Sequence, residues 1–335
     1  ARNADLEYVV AGLRLFRHVG VSFGLLPYTN VGYDYSNSAH INGSLSPESP
    51  TATYNNKYSG SQGLHQVYLG VGAEPLRNLS VGVNASYLWG GYTKYVTNTY
   101  SDAYVNTLQR TYTAEVRSYK LDFGLQYTQP LSAKDQVTLG LTYSLGHSLN
   151  ADPELSVIKN NSQLAVADTT HFRISNALDL PHTFGVGAVY SHNGQLMVGA
   201  DYQLQKWGSL DYPQYSDQGY GLQSGLLKDR HKVVLGADYC RGERHRGFLS
   251  RLHYRAGIGY ATPYFTINGQ DGPKEISASL GLGIPIVNSY NNRSMLNISA
   301  QWVRREASSM LTENTFRINI GFTFNERMFA KFKVE

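Results

Sequence analysis

A hydrophobic period of two recurs along almost the whole chain, and this feature constrains the fold most strongly. In the segment 137–145, valine, leucine and tyrosine occupy every odd position, whereas threonine, glycine and serine occupy the even positions. Side chains of a β-strand point alternately to opposite faces of the sheet, so the segment predicts a strand with one apolar and one polar face. About a dozen such segments in series are typical of a barrel with an apolar exterior and a water-tolerant interior.

The composition agrees with a barrel in a membrane. Charged residues make up 16% of the chain, below the usual quarter, as expected if the outer face excludes charge. The 26 tyrosines fit the aromatic girdles that such barrels place at both membrane–water interfaces. No apolar run approaches the ~18 residues of a membrane-spanning helix. These features predict an all-β, integral protein of the bacterial outer membrane.

Several function classes lack support in the sequence. The net charge is only +4 and the basic residues are scattered, which gives no indication of nucleic-acid binding. Cys240 is the only cysteine, so neither an internal disulfide nor a cysteine-based metal site is expected, and no cofactor is predicted. No nucleophile elbow, metal-ligand spacing or phosphate loop indicates an enzyme. His147 and Ser148 near an outer rim are interpreted as structural rather than catalytic.

Thirteen strands can be assigned from the alternation and from the turns between them. The tight turn at 192–194 (His-Asn-Gly) is a good hairpin signal between two of them. The predicted strands are 5–16, 21–36, 54–73, 79–95, 113–129, 136–149, 182–191, 195–207, 231–240, 248–264, 275–286, 295–305 and 315–324.

Short and long connections alternate along these strands. In barrels of this class the short turns are periplasmic and the long loops extracellular, so the first and thirteenth strands both run inwards. An even number of strands is needed to close an antiparallel barrel without an edge. We therefore predict a transmembrane antiparallel β-barrel of 14 strands over 1–324, whose first strand and any N-terminal hatch precede Ala1. A periplasmic basic and aromatic tail is predicted at 325–335.

Three features together carry a resemblance to a known family. They are the inferred 14 strands, the run LLPYTNVGY at 25–33 in what would be the third barrel strand, and the long fourth outer loop at 150–181. On these features the whole chain resembles the long-chain fatty-acid outer-membrane transporter family (FadL-type). The resemblance implies passive uptake of hydrophobic or amphipathic molecules through a barrel that an N-terminal hatch plugs.

The resemblance also implies a lateral opening in the barrel wall. The family's third strand is kinked and opens a gap towards the lipid, and proline cannot donate a hydrogen bond to a ladder. The residues that match this kink are Pro27, Tyr28, Asn30 and Gly32. The alternative is a local bulge near the rim without an opening.

A first landing groove for ligand is implied on the third and fourth outer loops. The alternative is that the same apolar side chains pack the loops onto the barrel mouth. The residues concerned are Tyr104, Val105, Leu108, Leu155, Val157, Ile158, Leu164 and Val166.

Charged side chains are predicted on the inner face of the barrel. Arg251, His253 and Arg255 form a possible cationic wall for a ligand carboxylate, through charge-assisted hydrogen bonds. The alternative is that they pair with inward acids, among which are Asp201 and Asp238. Glycines also recur on the inner face, which leaves room for an internal plug or relieves crowding in a narrow barrel.

The function expected from these features is passive uptake of hydrophobic or amphipathic molecules, such as long-chain fatty acids, with lateral exit near Pro27. Expected partners are membrane lipid and a hydrophobic ligand or detergent in the lumen. The alternative is a barrel subunit of a larger outer-membrane assembly, for protein secretion or outer-membrane protein insertion, with other outer-membrane proteins or lipoproteins as partners. An open porin is a third and weaker hypothesis.

Overall fold

The computed structural model of the chain describes most of the barrel. The described residues are 7–41, 52–102, 104–161, 163–216, 219–243, 245–267, 269–287, 293–307 and 312–324. The predicted tail at 325–335 lies outside them. No helix among the described residues is long and apolar enough to span a membrane.

Strands dominate the described residues, and helix is limited to α1 (Phe248–Arg251) and a single 3₁₀ turn at Trp207–Ser209. In chain order the strands are β1 (Val9–Phe16), β2 (Val19–Pro27), β3 (Tyr33–His40), β4 (Thr53–Leu76), β5 (Leu79–Tyr100), β6 (Thr107–Pro130), β7 (Asp135–Ser144), β8 (His147–Ser148), β9 (Glu154–Asn161), β10 (Val166–Arg173), β11 (Asp179–Leu180), β12 (Thr183–His192), β13 (Leu196–Gln205), β14 (Tyr212–Ser216), β15 (Gly219–Gln223), β16 (Arg230–Tyr239), β17 (His253–Ala261), β18 (Thr266–Ile267), β19 (Gln270–Asp271), β20 (Lys274–Val287), β21 (Arg293–Glu306) and β22 (Glu313–Thr323).

One antiparallel sheet contains all thirteen predicted strands, in the order β1-β2-β4-β5-β6-β7-β12-β13-β16-β17-β20-β21-β22. Neighbouring wall strands pair in chain order, joined alternately by short turns and longer loops, which confirms the predicted all-β barrel architecture. The sheet curls far enough to bring its two ends together: Tyr8 Oη, just before β1, lies 3.9 Å from the position of a Cβ built on Gly321 of β22. The predicted fourteenth strand stays a prediction.

The outer face of the sheet carries an apolar belt between aromatic rows. On β5 and β6, Val83 pairs with Phe123 near the middle, Tyr87 pairs with Tyr119 at the outer end, and Tyr127 ends the belt at the periplasmic end. Phe123 is 44% exposed although it is fully apolar. The stretch from Leu79 to Tyr87 has the length that a tilted strand needs to cross the hydrocarbon core. The belt is the lipid-facing surface that the alternation predicts.

Two predicted strands differ from the observed ones in ways that affect candidate site residues. The strand predicted at 21–36 is divided into β2 and β3, because the chain leaves the regular ladder after Pro27 and rejoins it at Tyr33. The strand predicted at 248–264 begins only at His253, because the residues before it form a turn that contains α1. Arg251 therefore lies in α1 and not on a strand.

Candidate functional site

The long connection between β7 and β12, residues 145–182, extends the barrel wall beyond these two strands and places apolar side chains on its inner face. Leu149, Ala151 and Leu180 of this connection pack on Leu88 of β5 and Val116 of β6. These five side chains, called the plug cluster here, are at most 5% exposed. Leu88 and Val116 point inwards, so the connection fills part of the lumen at its outer end. The partly buried residues packed around the cluster are Tyr28, Leu64 and Leu178.

Backbone hydrogen bonds fix this connection in place. Leu149 N–H donates to Leu178 O at 2.7 Å, and β8 pairs with β11, so the two ends of the connection bind each other. Ala151 forms an antiparallel bridge with Val116, and Arg117 N–H donates to Asn150 O at 3.2 Å. The connection is therefore part of the wall, edge to edge with β6, and its inward side chains narrow the lumen at this level.

Sequence reasoning did not single out the plug residues. A usable signal existed at the two ends of the connection, where Leu149, Leu178 and Leu180 are apolar although the strands next to them have already ended. Such residues at the base of a polar loop need a buried partner, because leucine gains free energy by leaving water. Which wall they contact depends on long-range geometry, which the alternation does not encode.

Above the outer aromatic row, part of the sheet continues beyond the membrane. β4, β5 and β6 are much longer than a membrane crossing needs, and β3, β9 and β10 pair with their outer halves. The resulting extracellular sheet has the order β3-β4-β5-β6-β9-β10. Its two outer strands, β3 and β10, are exposed along most of their length and form no further strand pairing among the described residues.

The extracellular hairpin of β14 and β15 packs aromatic rings on the inner face of this sheet. The Tyr220 ring centroid lies 6.3 Å from that of Tyr112 on β6 and 6.4 Å from that of Phe172 on β10. The Arg110 guanidinium lies 5.6 Å from the Tyr215 ring centroid, within the range of a cation–π contact. Burial raises the pKa of Tyr220, and the nearby phenol groups of Tyr212 and Tyr112 raise it further. The β14–β15 hairpin therefore crosses the barrel mouth and covers the part of the mouth next to the plug cluster.

The residues of the predicted ligand groove are divided between two environments. β9 pairs with β6, so the third and fourth outer loops do meet, with Leu108 opposite Lys159 and Leu155 opposite Tyr112. Leu155 and Val157 are at most 3% exposed and pack inwards, whereas Leu164 is 71% exposed. The remaining residues, none of which is buried, are Tyr104, Val105, Leu108, Ile158 and Val166.

The residues of the predicted lateral opening lie at the outer membrane interface. Pro27 aligns with His65, Trp89 and Arg117 across β4, β5 and β6, which is the level of the outer aromatic row. On the β4 side the chain stays bonded, because Tyr28 N–H donates to Leu64 O at 2.7 Å. On the β1 side the pairing reaches only Leu25.

The chain beyond Pro27 is irregular, and its residues lie in two different environments. Asn30 and Gly32 lie in the irregular connection to β3, and a Cβ added to Gly32 would meet nothing within 4 Å. Tyr28 instead turns towards the plug cluster. The kink predicted at Pro27 is therefore present, and an opening to lipid stays a prediction.

The inward charges near the periplasmic end form a closed network. The Asp238 carboxylate accepts hydrogen bonds from Arg255 Nε at 2.8 Å and from His253 Nδ1 at 2.9 Å. Arg255 also donates to Asn297 Oδ1 at 2.7 Å. Asp201 faces the lumen beside Gly187, separate from this network, and Lys120 pairs with Asp122 on β6. Pairing with Asp238 thus engages His253 and Arg255, whereas Arg251, the third residue of the predicted cationic wall, lies in α1.

His147 and Ser148 each bind groups other than the side chain of the other. Both ring nitrogens of His147 lie against carbonyl oxygens, those of Tyr119 at 2.9 Å and Ser148 at 2.8 Å, so the ring is not directed at the Ser148 hydroxyl. Ser148 Oγ instead donates to Asp179. Among the described residues, no group of three histidines, cysteines or carboxylates has the spacing to hold a metal ion.

An ion pair joins the two sides of the 145–182 connection. Arg173 Nη2 at the end of β10 donates to Asp152 Oδ2 at 2.6 Å, next to the plug residue Ala151. Asn176 N–H donates to the other carboxylate oxygen at 2.9 Å. The hydrogen bond from Arg173 and then that from Asn176 hold the pKa of the Asp152 carboxyl below its ordinary value. The ionised carboxylate therefore favours the folded arrangement of the hairpin.

One family model matches the chain over its full length. It is described as BamG, and the match covers residues 1–335. None of the curated proteins compared matches the chain.

Solved structures share the fold at low sequence identity. The P. putida toluene transporter TodX is 14% identical, with a TM-score of 0.61 over 97% of this chain and 82% of that chain. The CymD monoaromatic hydrocarbon channel is 13% identical, with a TM-score of 0.60 over 95% of this chain and 82% of that chain. A Pseudomonas aeruginosa FadL homologue is 13% identical, with a TM-score of 0.55 over 87% and 70% of the two chains.

The apolar belt, the aromatic rows and these neighbours together identify the fold as a FadL-type barrel. The protein is an integral β-barrel of the bacterial outer membrane, as the sequence predicts.

The Asp152–Arg173 contact predicts a pH dependence of the extracellular sheet. Because the carboxyl pKa is lowered in the folded protein, the contact stabilises the β9–β10 hairpin at pH values above the ordinary carboxyl pKa. The stabilisation is lost as the pH falls through the lowered pKa. Hydrogen–deuterium exchange, corrected for intrinsic rates, should show hairpin protection that declines over this acidic range.

The Arg173→Gln variant should exchange faster at neutral pH and lose the acidic transition, because the carboxylate no longer has its main donor. Lys159→Gln, an exposed change on the same hairpin, is the matched control and should behave as wild type. Equal protection of wild type and Arg173→Gln at every pH would contradict this role for the contact.

Proposed function

The chain belongs to the BamG family, and we propose that it is a barrel subunit of a larger outer-membrane assembly that inserts outer-membrane proteins or secretes proteins. The family match spans the whole chain, whereas the hydrocarbon channels are similar at 13–14% identity, which concerns the fold. The proposal rests chiefly on one observation: the barrel carries a large extracellular sheet whose two edge strands have no partner among the described residues.

The edge strands of this sheet are suited to protein contact. An exposed edge presents unpaired backbone groups that a strand of another chain can bind. At the end of the sheet nearest β10, Leu164 and Val166 are 71% and 57% exposed, and Tyr104 of the neighbouring loop is 58% exposed. Large apolar side chains gathered at one end of a polar sheet are typical of a surface that a partner covers. They are called the apolar tip below.

The packing of side chains in the lumen argues against an open porin. The plug cluster fills the outer part of the inner wall, and the β14–β15 hairpin crosses the mouth above it. A constitutive pore for hydrophilic solutes needs an open water-filled passage at this level. The porin hypothesis is therefore the least supported of the three.

Co-purification tests the subunit proposal. After gentle detergent extraction, the barrel should elute in stoichiometric complex with other outer-membrane proteins or surface lipoproteins. The double variant Leu164→Asp and Val166→Asp should reduce the partner yield by about tenfold, because it removes two apolar anchors. Leu222→Asp changes a 50% exposed leucine on the other extracellular hairpin and should leave the yield unchanged. A barrel that elutes alone in wild-type form would contradict the proposal.

The second candidate function is passive uptake of hydrophobic small molecules, such as long-chain fatty acids, by lateral diffusion near Pro27. A specific observation favours it: Tyr28, next to the kink, packs against the plug cluster, so an apolar patch lies directly behind the irregular part of the wall. A lateral exit here avoids dragging an apolar solute through the polar lumen, which would forfeit about 25 cal/mol per Å². Two structural neighbours, the toluene transporter TodX and the CymD monoaromatic hydrocarbon channel, agree with this class of ligand.

Uptake by cells lacking the chain separates the two candidates. If the barrel transports, deletion should lower uptake of radiolabelled oleate or toluene, and wild type should restore it. Pro27→Thr, which supplies a ladder donor, should restore it poorly, because regular pairing narrows the kink. Pro130→Thr, an exposed change at the periplasmic end of β6, is the matched control and should restore uptake fully. Unchanged uptake in the deletion strain would exclude the transport function.

A further inference from the structure

The periplasmic connection between β16 and β17 differs from the other described periplasmic turns. Turns such as 17–18 and 77–78 contain only the residues needed to reverse the chain, whereas this connection runs from Cys240 to Leu252 and contains α1. Its sequence, CRGERHRGFLSRL, is strongly basic. Ordering a long turn costs conformational entropy. We therefore expect this cationic turn to bind a group outside the barrel wall, which would offset the cost.

Three arginines of this turn are available for a ligand. Arg241 and Arg246 are exposed, and Arg251 is half-buried with its Nε bonded to no partner. The acids of the region are engaged elsewhere among the described residues: Asp238 binds His253 and Arg255, and Glu243 lies 3.6 Å from His253 Nε2. Four arginines against one glutamate give the turn a net positive charge.

The same turn carries apolar groups at the membrane surface. Phe248 and Leu249 of α1 are 57% and 68% exposed, and the Arg251 guanidinium lies 6.0 Å from the Phe248 ring centroid. Leu249 O accepts a hydrogen bond from Tyr254 Oη at 3.0 Å, which fixes α1 beside the aromatic row of the barrel wall. Apolar side chains next to arginines at this level are typical of a segment that lies in the membrane interface.

Directly above this turn the lipid-facing wall is indented. A groove of about 630 Å³ lies across β16, β17, β20, β21 and β22 and begins at Tyr239 and Tyr254. Alanines replace larger side chains on its floor: Ala237 pairs with Ala256, and Ala300 lies two strands further on. The groove faces the hydrocarbon core, so an acyl chain is the molecule that can fill it.

From the cationic turn and the adjoining groove, we propose that the barrel binds an anionic phospholipid of the periplasmic leaflet at this site. The headgroup phosphate accepts charge-assisted hydrogen bonds from Arg241, Arg246 and Arg251. One acyl chain lies in the alanine-floored groove. The charge selects anionic over zwitterionic lipid, and the groove fixes the position at one side of the barrel. The proposal is independent of either candidate function above.

Native mass spectrometry of the full chain tests the site. The barrel is released from nanodiscs that contain equal amounts of phosphatidylglycerol and phosphatidylcholine, and the retained lipid is identified. Wild type should retain phosphatidylglycerol preferentially. Each arginine replaced by glutamine, as in Arg241→Gln, Arg246→Gln and Arg251→Gln, should lower this preference about fivefold. Ala256→Leu, which fills the groove and leaves the charge unchanged, should lower retention of both lipids.

Matched controls separate the site from general effects. Arg17→Gln with Arg77→Gln removes exposed charges from other periplasmic turns, and Ala188→Leu enlarges a lipid-facing alanine outside the groove. Both should retain phosphatidylglycerol as wild type does. Equal retention of the two lipids by wild type, or an undiminished preference in the triple arginine variant, would overturn the proposal. Loss of lipid in the controls as well would overturn it too, because binding would then not be local.

Discussion

Satisfaction of backbone hydrogen bonds in a medium without water is the constraint on which this structure depends. Each peptide group in the hydrocarbon layer must find its partner within the protein. Neighbouring strands meet this requirement by pairing in antiparallel sequence order, with registers that are continuous over most of each strand, whereas the outer edges of β1 and β22 have no strand partner among the described residues. The period of two then follows, because a paired strand can direct only every second side chain towards lipid. The belt and the aromatic rows are consequences of that pairing.

A β-barrel encloses a polar interior, which either protein or water must fill. Here the outer part of the interior is filled by the chain itself, through the plug cluster and the hairpin that crosses the mouth. The strands that carry the plug, β5 and β6, are also those that extend beyond the membrane. Plug and extracellular sheet therefore form one continuous packed unit, joined by the Asp152–Arg173 pair. A partner bound to the extracellular sheet would therefore contact a unit that also includes residues facing the lumen.

The sequence predicted the membrane-spanning strands well, because their pattern is local. In each strand the alternation shows which side chains face lipid, as in 137–145. Predicting this face needs no information about distant residues. The loops were less predictable. The sequence predicts that Leu155 and Val157 belong to a ligand groove, yet both side chains are buried because β9 pairs with β6. That pairing depends on the surrounding fold and not on the local pattern. Arg251 read as a lumen residue, yet the strand begins after it because the turn contains α1.

The central claim is that residues 149–151 continue the barrel wall beside β6 and direct apolar side chains into the lumen. A disulfide between Val116→Cys and Ala151→Cys tests it most directly, in a Cys240→Ser background and in intact outer membranes. These residues form an antiparallel bridge and are 1% and 2% exposed, a spacing that suits a disulfide. The account predicts efficient cross-linking of this pair and none between Val116→Cys and Leu164→Cys, which lies at the exposed tip. Absence of the first cross-link in folded barrels would contradict it.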